Sequence, residues 1–149
     1  MKVLFDTNVI IDIWKRDETF FLDSFASYDV CQLRGWESCI AVTAVSDIEY
    51  LLTARNILPK AKVANAMDAL LEMFSVVDAQ ECDCLLAKQS DLPDFEDALI
   101  AFSAKRNGVD AIVTRNTKDF EKSPVPALTP ASFVATYKPA NVSYDLAKL

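Results

Sequence analysis

The sequence predicts an α/β protein with a parallel sheet covered by helices on both faces. Two observations carry this. Short apolar runs alternate along the chain with longer segments of helical period. The runs themselves (VLF, CIAV, AIV) are near-continuously apolar instead of alternating, as strands buried on both faces require.

The first run, residues 2–6, ends in Asp6 and is followed by a helical pattern over 8–14 and a longer one over 19–33. Residues 39–42 form a second short strand. Residues 44–56 follow as a helix, with Ile48, Leu51 and Leu52 on one face. Pro59 is compatible with a first helical turn, and 60–74 is amphipathic. A third strand is expected at 75–77, then helices at 81–89 and 94–107. The second of these is closed by Gly108 in a C-cap position. A fourth strand at 111–114, a short fifth at 127–128 and a helix at 130–137 complete one domain. Residues 138–149 read as a loosely held tail. No internal repeat, low-complexity stretch or linker interrupts this order.

Composition narrows the function. A hydrophobic fraction of 52% with 25% charged residues is that of a globular domain, and 149 residues suffice for one real core. No apolar run approaches the ~20 residues of a membrane span. Asp6 interrupts the N-terminal apolar stretch, which therefore is not a signal peptide. These features predict a cytoplasmic protein. There is no histidine, which excludes Ser-His-Asp and Cys-His catalysis. Cys31, Cys39, Cys82 and Cys84 fit no zinc-knuckle spacing and read as reduced thiols. The net charge of −7 opposes wholesale nucleic-acid binding. The exception is local: between 101 and 125, Lys105, Arg106, Arg115, Lys118 and Lys122 outnumber Asp110, Asp119 and Glu121.

In open parallel sheets, sites lie beyond the carboxyl ends of the strands. Asp6 stands at such an end. Asp47 and Glu49 follow the second strand; periodicity does not choose between them, and either could be an ordinary helix acid. Asp94, Glu96 and Asp97 open the helix before a heavily apolar ALIAF run, Asp94 and Asp97 on the same face. Capping explains this pair as readily as function does. Thr114, Asn116 and Asp119 follow the fourth strand in a turn, where such residues are common. Convergence of these acids would be costly. Each like-charge pair at ~4 Å and an effective dielectric near 20 repels by on the order of 4 kcal/mol. A divalent cation is the simplest counter-charge, and all-oxygen donors select Mg²⁺ or Mn²⁺ over zinc. The chemistry that fits is metal-assisted hydrolysis of a phosphodiester.

The segments FDTNVIID, DFEDALIAFSAKRNG and IVTRNTKDFEKSPVPALTPASF occur in the order of the PIN domain family, which the chain resembles from residue 1 to about residue 135, within a domain of residues 1–137. The resemblance implies a three-layer α/β/α sandwich with a parallel sheet of about five strands. It implies a metal-dependent ribonuclease acting on RNA, as in the bacterial VapC-like toxins of type II toxin–antitoxin modules. Carried over by position, the catalytic residues are Asp6, Glu49, Asp97 and Asn116. Glu49 is favoured over Asp47 because it stands three residues after Ser46. Asp94 and Asp119 join Asp6, Glu49, Asp97 and Asn116 as metal ligands, while Asn8 and Thr114 support them. Arg115 and Lys118 are candidates to contact RNA phosphates. The family's usual acid at position 116 is here an Asn, which weakens a second metal site. The resemblance also implies an antitoxin partner and a homodimer, for which Phe20, Phe21, Leu70 and Leu71 offer apolar surface. The alternatives are a degenerate PIN scaffold that binds and does not cleave, and a receiver or haloacid-dehalogenase-like phosphotransfer fold. The phosphatase wants an Asp at position 8, where Asn stands.

Overall fold

The structure, a computed structural model, describes residues 1–145. Five parallel strands run β1 (Lys2–Phe5), β2 (Glu37–Ala41), β3 (Ser75–Val77), β4 (Ala111–Val113) and β5 (Ala127–Leu128), in the spatial order β3-β2-β1-β4-β5. In β1, Val3, Leu4 and Phe5 are all buried, although successive side chains point to opposite faces. The sheet is therefore covered on both sides, as its continuous apolar strands require.

Helices α1 (Thr7–Lys15) and α2 (Phe21–Arg34) connect β1 to β2, and α3 (Val42–Ala54) and α4 (Lys60–Met73) connect β2 to β3. The Phe5 ring lies 6.1 Å from Tyr28 of α2 and 5.6 Å from Phe74, just beyond α4. These helices thus cover one face. The chain then crosses back over β2 and β1 through α5 (Glu81–Gln89) and α6 (Phe95–Arg106) to reach β4. Right-handed crossover puts that pair on the opposite face. The last helix, α7 (Pro130–Tyr137), packs on α2. Strand order reverses between β1 and β4, so the crevice beyond their carboxyl ends is the switch point where such folds place their sites.

Element boundaries moved where backbone hydrogen bonding overrode side-chain preference. The second strand starts earlier than expected and ends at Ala41, whose extended backbone (φ −70°, ψ 146°) caps α3 directly. Asp6 does the same for α1 (φ −72°, ψ 152°). Neither junction has a loop, so first-turn residues face the crevice. The second helix begins two residues late because the Asp17 carboxylate accepts from the Thr19 and Phe20 amides at 3.0 and 3.2 Å. Gly35 closes α2 at φ 64°, a left-handed conformation that costs glycine no Cβ clash. On the far side, buried Asp83 accepts from the Arg106 guanidinium at 2.8 Å, and Arg106 also pairs with Asp78 at 3.1 Å. This clamp ties α5 to α6. In the segment after α7, the Tyr144 hydroxyl donates to Asp29 of α2 at 2.8 Å. The last four residues of the expected tail, 146–149, lie outside the described ones. Among the described residues, no helix is long and apolar enough to cross a membrane.

Candidate active site

Asp6 is fixed by residues from both sides of the switch point. Its Oδ2 accepts from Asn8 Nδ2 and Thr114 Oγ1, each at 2.6 Å. Thr114 is fully buried at the end of β4, and its hydroxyl also accepts the Asn116 amide at 3.0 Å. The Arg115 amide donates to Asn8 Oδ1 at 3.2 Å. The expected supporting roles of Asn8 and Thr114 therefore have a geometric counterpart: both orient the Asp6 carboxylate. Burial pushes that carboxyl above its usual range, against the opposing pull of Thr114, the Thr7 amide, Asn8 and the Arg115 charge.

Beyond Asp6 opens a cleft of about 410 Å³, lined among others by Asn8, Asp47, Arg55, Glu96, Asp97 and Asn116. Burial, followed by the charges of Asp6, Asp94, Asp119 and Glu96, drives the Asp97 carboxyl up to about 7. Glu96 is raised by desolvation and then by its Asp47 neighbour. The cleft is a crowd of carboxyls that disfavour one another's ionised forms.

The structure separates the predicted residues. Asp6, Asp97 and Asn116 meet in the cleft. Glu49 does not: it is exposed on α3, with the Thr53 hydroxyl 3.4 Å from its Oε1. Ala44, Ile48 and Leu52 bury one stripe of α3. That rotation aims Asp47, Leu51 and Arg55, four residues apart, at the cleft. Glu49 lies roughly 200° round the helix from Asp47, at 3.6 residues per turn. Of the two acids that follow the second strand, Asp47 lines the cleft and Glu49 does not. Asp94 is likewise a cap, not a cleft residue: its Oδ1 accepts from the Glu96 and Asp97 amides at 2.9 and 3.1 Å. Asp119 stands outside the lining and accepts the Asn116 side-chain amide. Lys118 is exposed and also outside it. Arg115 lines the cleft and pairs through Nε with buried Asp12 at 2.9 Å. Of the apolar residues proposed for a dimer, Leu70 is in the core and Phe21 stacks on Phe25 at 5.8 Å, while Phe20 and Leu71 remain exposed.

Sequence reasoning passed over Arg55. Its spacing of eight from Asp47 was the available signal. Among the described residues, no three His, Cys, Asp or Glu side chains form a group that could hold a metal ion as they stand. The donor chemistry nevertheless suits a hard cation, because every acid of the cleft offers oxygen alone and the raised Glu96 and Asp97 carboxyls are crowded by further acids.

A sequence model of the PIN domain family matches residues 2–118. No curated protein matches the chain in sequence. Among solved structures, VapBC2 from Rickettsia felis, bound to a DNA fragment from their promoter, is similar at a TM-score of 0.63 and 16% identity, over 87% of this chain and 98% of that one. A toxin–antitoxin complex from Klebsiella pneumoniae gives 0.62 and 21%, over 86% and 97%. FitAcB from Neisseria gonorrhoeae gives 0.63 and 20%, over 86% and 97%. At these identities the structural likeness concerns the fold. Together with a family match over most of its length, the five-stranded parallel sheet and the acid at its switch point make the chain a member of the PIN domain family.

Proposed function

We propose that this chain is a divalent-metal-dependent endoribonuclease, acting as the toxin of a toxin–antitoxin pair in the cytoplasm. The observation that carries the reading is the gathering of Asp6, Asp47, Glu96 and Asp97 with Arg55 and Arg115 around one cleft. Acids alone would repel a phosphate, and arginines alone would need no raised carboxyls. The combination suits a phosphodiester held against a cation. Asp6 and Asp97, with Asp47 and Glu96 beside them, would hold Mg²⁺ or Mn²⁺. When bound, such an ion makes water a better nucleophile near neutral pH and polarises the phosphate.

The chain's own residues have distinct tasks. Asn8 and Thr114 donate to Asp6 and keep its carboxylate in one orientation. Asp97, whose carboxyl is driven up to about 7 in the metal-free cleft, would be held ionised by a bound cation and so serves as a ligand. Arg55, at the end of α3, and Arg115, after β4, both line the cleft and bind the phosphate backbone. Asn116, tied to Asp119, lends an amide and no charge to the site. An acidic cleft in a chain of net charge −7 also suits a basic segment of an antitoxin as its inhibitor. The toxin acts as a homodimer in this reading.

The test is cleavage of single-stranded RNA with Mn²⁺, wild type against Asp6→Asn. We expect a loss of about 10²-fold or more in a folded variant. Full activity of Asp6→Asn would remove Asp6 from the site. One observation favours a second reading, a scaffold that binds without cleaving: no three acids are preassembled around an ion position among the described residues. Calorimetry with Mn²⁺ separates the two, because the scaffold binds no ion.

A further inference from the structure

We propose that the pocket between α2 and the start of α7 receives a nucleobase of the RNA whose phosphate lies in the acid cleft. This rests on the nuclease reading and names a subsite for its substrate. The pocket has a volume of about 180 Å³ and is lined by Phe20, Asp23, Ser24, Arg115, Thr129 and Pro130, with Ala131 beside them. Arg115 also lines the acid cleft, so the two cavities share a wall.

That wall is built, not incidental. The Arg115 guanidinium stands 4.3 Å from the centroid of the Phe20 ring. Its Nε is held at 2.9 Å by Asp12, which is buried and steadied in turn by the Ser24 hydroxyl at 3.2 Å. Phe20 is 39% exposed, which leaves part of its ring open to a ligand. Its backbone is set by the Asp17 turn, at 3.2 Å from the amide. The guanidinium covers one face of the Phe20 ring, and aromatic rings and guanidinium planes are the surfaces on which unpaired bases stack.

Charge decides which part of a nucleotide goes where. Thr129 and Ser24 spend their hydroxyls within the protein, on Ser132 and Asp12. Asp23 stands exposed at the rim and repels phosphate. Arg115 attracts phosphate on the cleft side. A strand crossing Arg115 therefore leaves its backbone in the cleft and turns a flat, uncharged base toward Phe20, Pro130 and Ala131. Asp12 is a positioning residue in this arrangement. It aims Arg115 without touching RNA.

The test measures binding separately from cleavage. Short single-stranded RNA, uncleaved in Ca²⁺ or chelator, is titrated by anisotropy against wild type, Phe20→Ala, Phe20→Leu and Phe20→Trp, each checked for folding by its melting curve. A stacked base contributes on the order of 1–3 kcal/mol. Phe20→Ala and Phe20→Leu should therefore bind at least about fivefold more weakly, and Phe20→Trp should bind like wild type. An RNA with one abasic position should lose affinity for wild type and lose no more for Phe20→Ala. Equal affinity of Phe20→Ala and wild type, with wild type still cleaving RNA, overturns the subsite, leaves the nuclease reading intact and hands the pocket to a protein partner. A wild type that neither binds nor cleaves RNA overturns both.

Discussion

Replacing Asp97 by Asn should stabilise the metal-free protein, and only above mildly acidic pH. The Asp97 carboxyl rises from an ordinary 3.8 to about 7, because the fold buries it among Asp6, Asp94, Asp119 and Glu96. A raised acid is neutral in the folded protein at pH values where the unfolded chain is already ionised. Its cost is therefore absent below about pH 4, grows as pH rises, and is complete above about pH 7. At about 1.4 kcal/mol per pH unit, that interval corresponds to on the order of 4 kcal/mol. The open cleft screens the charges, and roughly half of this remains, ~2 kcal/mol. For a domain of this size each kcal/mol moves the midpoint by about 2–4 °C, so Asp97→Asn should melt ~4–8 °C higher at pH 8. Thermal unfolding followed by circular dichroism at pH 4, 6 and 8 in chelator makes the measurement. The two curves should coincide at pH 4 and separate progressively. A difference independent of pH, or an Asn variant that melts lower at pH 8, would refute the argument that these carboxyls repel one another. Adding Mn²⁺ should then favour wild type, by ~2.7 kcal/mol at a hundredfold excess over Kd.

Four further variants separate the roles of individual acids. Asp47→Asn should impair RNA cleavage by at least tenfold while Glu49→Gln leaves it within twofold, as measured by initial rates in Mn²⁺, because only Asp47 faces the cleft (a ~1.4 kcal/mol effect on the barrier). Asp94→Ala should destabilise the protein by about 1 kcal/mol, the usual worth of an N-cap, in urea unfolding. Asp83→Ala should cost about 2–3 kcal/mol in the same assay. Loss of a fully buried ion-pair partner costs more, but Arg106 retains Asp78.

The sheet was legible because each strand is buried on both faces and leaves a continuous apolar run. Val3, Leu4, Phe5 and Ile112 announce this directly. The position of Asp6 followed from the same pattern, since a carboxylate ending such a run has the carboxyl edge as its place. The rotation of α3 was not legible. Ala44, Val45, Ile48, Leu51 and Leu52 are apolar all round, and two registers satisfy the sequence equally. Only the docked sheet buries Ala44, Ile48 and Leu52 and turns Asp47 inward. The Asp94–Asp97 pair was ambiguous for a related reason. Capping and ligation demand the same residue types at the same spacing, and the difference lies in which oxygen faces which amide. Arg55 was invisible because its role depends on that same rotation.

The bond between Thr114 and Asp6 spans 108 residues of chain. During synthesis Asp6 is among the first residues made, and its distant orienting partner arrives only after three crossovers have been translated. At about 5–20 residues per second, roughly 5–20 s separate the two. A ribosome that stalls or drops off before β4 therefore releases a fragment with an acid but no seat for it. Assembly of the Asp6 seat is thereby deferred to late translation; if the chain acts as the proposed toxin, an inhibitor made alongside it has that time to reach the nascent chain.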